Sequence, residues 1–118
     1  MSQNFQAGDY LIFQIESGYG LLRILAIEEI KGEKVWHLAA YNELFLDSET
    51  ADAAIENSSL SIGKPHVALT TRAFESTQTA RMTNKSLTEN ELQPFYDWKN
   101  NPNAEVSDRS VRLMLGLR

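Results

Sequence analysis

The chain contains no cysteine among its 118 residues. Disulfides, thiolate metal sites and a cysteine nucleophile are therefore excluded. Histidine is nearly as scarce, with only His37 and His66. Neither lies in an H-x-H, H-x-x-x-H or H-E-x-x-H pattern, so nothing predicts a metal centre. No apolar run approaches a membrane span, and the opening residues lack the basic and apolar stretches of a signal peptide. Those absences predict a cytoplasmic protein with no membrane partner. No G-x-S-x-G elbow is present, and no glycine-rich turn joins a strand to a helix, so hydrolase and dinucleotide signatures are missing. The sequence predicts no cofactor.

What is present is ordinary globular material. Hydrophobic residues are 42% and charged residues 23% of the chain, enough for one core and a single domain over 1–118. Net charge is −5. Residues 1–63 carry ten acidic and three basic side chains, or −7, whereas residues 64–118 carry a net +2. A surface that tracks phosphates needs clustered lysine and arginine, so nucleic acid is not an expected partner.

The first third reads as an antiparallel meander. Strand-like alternation runs over 10–16, 21–30 and 34–41, with turns at Ser17–Gly20 and Lys31–Gly32. The second strand is apolar on both faces (Leu22, Ile24 and Ala26 against Leu21, Leu25 and Ile27), as expected of a covered central strand. Asp47 and Glu49 mark a short helix start. A fourth strand is expected over 66–74 and a weaker fifth over 77–82. The period then changes. Thr88 and Glu91 form a capping box, Leu87 and Leu92 a hydrophobic staple, and Pro94 should kink or restart that helix. Ser107–Asp108 is the expected cap of a last short helix closed by Gly116. Strands followed by helices predict an α+β fold. The expected form is a small curled antiparallel sheet, an SH3-like half-barrel meander, with C-terminal helices on one side.

The strongest functional feature is the acidic series Glu43, Asp47, Glu49, Asp52 and Glu56 around the first helix. It could dock a basic protein and steer its approach, although a solvated helix face explains the same charges. Tyr19, expected at a hairpin tip, is the aromatic hardest to bury and so a candidate contact residue. Most other aromatics are more simply core or sheet-face residues.

One stretch has a family likeness. Gly8-Asp9-Tyr10-Leu11-Ile12-Phe13, followed by Gly18-Tyr19-Gly20-Leu21-Leu22-Arg23-Ile24-Leu25, resembles the opening of the immunity proteins numbered twenty-six, which accompany bacterial polymorphic toxins. The likeness covers residues 8–25 and carries over no binding residues. It implies a toxin-neutralising protein that acts by occlusion, without catalysis. Two other readings remain. One is a barrel-like module for a peptide or small ligand, which a deep apolar pocket would favour. The other is a small enzyme, which a histidine in a cleft bonded to a carboxylate would favour.

Overall fold

A computed structural model describes residues 4–116. The chain is α+β, with one five-stranded antiparallel sheet that does not close and four short helices. The strands are β1 (Asp9–Ile15), β2 (Gly18–Ile30), β3 (Glu33–Tyr41), β4 (Ile62–Thr70) and β5 (Thr79–Asn84), in spatial order β4-β3-β2-β1-β5. The helices are α1 (Ser48–Glu56), α2 (Thr71–Glu75), α3 (Glu89–Lys99) and α4 (Val111–Met114).

The meander forms as the alternation predicts, but the first turn is tighter. Ile15 pairs with Gly18 and Gln14 with Tyr19, so only Glu16 and Ser17 turn. Gly18 and Gly20 lie inside β2 and answer to space rather than to turn geometry. A Cβ on Gly18 would sit 2.4 Å from the Phe45 carbonyl oxygen, and one on Gly20 would sit 2.7 Å from the Phe13 ring. Lys31 and Gly32 do turn, both at positive φ (54° and 83°), as a two-residue hairpin with the sheet's natural twist requires.

A bulge changes the faces of β2. Ile24 pairs with Leu38 and Ala26 with His37, which leaves Leu25 extra. Leu22 and Ile24 therefore share the first core with Ile27, while Leu25 and Ala26 turn to the opposite face. The expected grouping of Ala26 with Leu22 and Ile24 fails for that reason. The covering of both faces of β2 holds.

Helices occupy both faces of the sheet rather than one. Phe74 of α2 and Val111 of α4 pack with Leu11, Phe13, Trp36, Leu38 and Leu69. On the other face Ala51 and Ile55 of α1 pack on Tyr10 and Leu21, and Phe95 of α3 packs on Leu25 and Ala39. The fourth strand starts earlier than its alternation suggests and gives way at Thr71 to α2, capped by the Thr70 hydroxyl. Asp47 caps α1, and Thr88 and Glu91 form the expected capping box of α3. Pro94 lies within α3, which continues through it to Lys99. The cap of α4 is Ser110, not Ser107. Ser107 instead pairs with the edge of β4, its N–H donating to the Ala68 carbonyl and its own carbonyl accepting from Thr70 N–H. No described helix is long and apolar enough to cross a membrane.

Candidate functional sites

The acidic series lies along the segment that leaves β3 and enters α1. Asp47, Glu49, Asp52 and Glu56 are exposed, and Glu43 is half-buried. Two of them have local work. Glu43 accepts from the Ser61 N–H at 2.8 Å and its hydroxyl at 2.5 Å, bonds that hold its carboxyl below the usual range. Asp47 accepts from Thr50 N–H at 2.8 Å, and that bond lowers its pKa too. Glu56 pairs with Lys85 at 3.2 Å. Glu49 and Asp52 have no ion pair among the described residues.

Sequence patterning missed the apolar component of this surface. Leu44 is 58% and Leu46 83% exposed, interleaved with the carboxylates. Phe45 between them is held to the sheet by reciprocal backbone hydrogen bonds with Tyr19, each 2.8 Å. That pairing fixes the segment and turns its odd and even side chains to opposite sides. It also corrects the reading of Tyr19, which is a half-buried strand residue rather than a hairpin tip.

The two histidines, far apart in sequence, meet on the α3 face. Glu28 on β2, His37 on β3 and His66 on β4 form a diagonal row across three strands. His37 Nε2 lies 3.0 Å from Glu28 Oε1, and His37 Nδ1 lies 2.9 Å from His66 Nε2. Each step is one cross-strand diagonal, since Glu28 pairs with Val35 and His37 with Ala68. Lys99 of α3 donates to Glu28 Oε2 at 2.5 Å. Phe95 and Trp98 of the same helix cover His37, with ring centroids 4.6 and 4.8 Å away. His37, the histidine bonded to a carboxylate, is fully buried, whereas His66, which borders a cleft, has His37 and no carboxylate as its described hydrogen-bond partner, so neither histidine alone meets the condition set for an enzyme.

The protonation states follow from these surroundings. For Glu28, burial opposes ionisation, but bonds from Lys99 and His37 outweigh it and lower its pKa. Burial lowers the His37 pKa despite Glu28 beside it. Burial, then the neighbouring His37, pushes His66 down to about 4. Both imidazoles are therefore neutral at pH 7. No group of three or more metal-ligating side chains exists among the described residues.

A third polar cluster lies nearby on the same face. Arg23, 2% exposed, donates to the carbonyls of Gly8 (2.5 Å) and Ser86 (3.1 Å) and to both carboxylate oxygens of Glu91 (3.1 and 3.3 Å). Its guanidinium lies 4.1 Å from the centre of the Tyr10 ring. This arrangement ties β2 to the capping box of α3 and uses nearly all of the arginine's donors, so it reads as structural.

No family model, curated protein or solved structure matches this chain.

Proposed function

We propose that the chain is a non-catalytic protein-interaction domain that docks a basic partner through residues 43–56. The observation that carries this reading is the pair of exposed leucines, Leu44 and Leu46, set among Glu43, Asp47, Glu49 and Asp52. Two leucines this bare and one residue apart make a small apolar patch, and an apolar patch rimmed by polar groups marks an interaction surface. Apolar anchors inside a charged rim are the arrangement from which interfaces draw affinity and orientation. The rim is acidic, so the complementary surface is basic. A second copy of this chain would bring like charges together.

The resemblance of residues 8–25 supplies the narrower version, in which the partner is a cationic toxin domain and the chain neutralises it by filling its cleft. A cytoplasmic location and an SH3-like curl of the sheet belong to the same proposal. Bulges in the β1–β5, β2–β3 and β3–β4 ladders favour such curling.

Gene neighbourhood and binding test it together. A large secreted toxin with a basic C-terminal domain should be encoded beside this chain, and the two should form a complex in calorimetric titration. Replacing Leu44 and Leu46 by serine should weaken that complex at least about tenfold, and Glu49→Lys with Asp52→Lys should slow association. Unchanged affinity in both variants would remove the 43–56 surface from the account. A neighbourhood with no toxin would remove the immunity version.

A further inference from the structure

A second site of different chemistry lies along the outer edge of β4, between α3 and the segment that runs into α4. His66, Trp98, Glu105, Val106, Ser107 and Met114 are among the residues that border a cleft of about 400 Å³, within the size range of small-molecule sites. Its walls are polar and apolar in equal measure, and Trp98 is fixed there because its indole N–H donates to the Glu105 carbonyl at 3.0 Å. The polar group that matters is Nδ1 of His66. It has no hydrogen-bond partner among the described residues, and the only fully buried side-chain polar atom left unpaired among them is Thr77 Oγ1. Nδ1 is therefore not fully buried, and His66 is one of the residues that border the cleft.

Whether Nδ1 donates or accepts is decided two residues away. Ionised Glu28 can only accept, so His37 must carry its proton on Nε2 and donate it. Neutral His37 then has a lone pair on Nδ1 and accepts from His66 Nε2–H. Neutral His66 is left with a bare lone pair on Nδ1. We propose that this cleft binds a small planar ligand bearing an N–H donor, and that Glu28 and His37 act as positioning residues that fix His66 Nδ1 as its acceptor. The ligand's ring lies against Trp98 and its N–H meets Nδ1. Lys99 completes the wiring by holding Glu28 Oε2.

Indole and benzofuran are matched probes, because they share size and shape and only indole has the N–H. Two-dimensional 15N spectra of the imidazoles should show His66 protonated on Nε2 and bare on Nδ1. Indole should shift the Nδ1 resonance, and benzofuran should bind about tenfold more weakly, the loss expected for one hydrogen bond. His66→Phe keeps a flat ring and should abolish the difference. Glu28→Gln should reverse it. There the amide oxygen stays with Lys99, the amide NH₂ donates to His37, and each imidazole changes tautomer, leaving an N–H on His66 Nδ1. A protonated Nδ1 in the unaltered protein, equal affinity for the two probes, or no response of His66 to indole would each overturn the proposal. All three are read on the unaltered chain, so they do not depend on a variant folding, and none bears on the 43–56 surface.

Discussion

The guanidinium of Arg23 is enclosed by Gly8, Ser86, Glu91 and the Tyr10 ring. Truncating it as Arg23→Met would leave Glu91 and two carbonyls without their donor in a place water reaches poorly. Breaking one side of such a buried pair costs roughly 3–5 kcal/mol, which urea unfolding would register as a lower midpoint with an unchanged slope. A cost near zero would mean that the loop and helix relax to hydrate these groups. Thr77 makes the opposite case. Its Oγ1 is buried without a partner among the described residues, so its hydroxyl loses hydration for nothing in return. The isosteric Thr77→Val should be neutral or stabilising by up to about 1 kcal/mol, whereas a clear loss in thermal unfolding would reveal a partner for that hydroxyl.

At the scale of elements, α3 is the member most exposed to change. It is fastened by its capping box, by the Arg23–Glu91 pair and by the Phe95 and Trp98 rings over His37. Thr88→Ala should cost about 1 kcal/mol through the lost cap. The histidines add a pH dependence whose sign is fixed. His66 titrates at about 4 in the folded chain against an ordinary 6.5, so the unfolded chain takes up its proton first as pH falls. Stability is full above pH 6.5 and declines from there to about 4, by at most about 1.4 kcal/mol per pH unit for that one group. Carboxylates held low by their bonds, such as Glu28 and Glu91, add their own losses at lower pH. Unfolding series at pH 7, 6 and 5 should show the decline in the unaltered chain and a shallower one in His66→Phe. Equal slopes would remove the histidine from that role.

Elements with local signals were the ones legible in the sequence. The two capping sequences gave the starts of α1 and α3, and the Lys31–Gly32 turn gave the β2–β3 register. That register already places Glu28 and His37 on one face, one diagonal apart. His66 could not be assigned to the same row, because β4 joins β3 only after α1 and a loop. Helix α2 hides in the run His66 to Phe74, where alternation continues through Thr71. The Leu25 bulge has no local signature, and it misled the face assignment of Ala26. Pro94 breaks the propensity rule, and α3 persists because Phe95 and Leu92 bury against Leu25 and Ala39.

At the scale of the whole molecule, the sheet separates two surfaces. Residues 43–56 present carboxylates and bare leucines beside α1, and the His66 cleft opens between β4, α3 and the segment before α4. The positive surplus of residues 64–118 does not cancel the first surface, since Glu56 is the one carboxylate of the series that reaches a described cation. Association with a basic partner should therefore be steered by charge and slow as salt rises. Amide hydrogen exchange on this chain, with and without the proposed cationic partner, separates docking at residues 43–56 from docking anywhere else. New protection is expected only over residues 43–56 and the Tyr19 strand that holds them. Protection along the free part of β4 or around His66, with 43–56 exchanging as before, would contradict it.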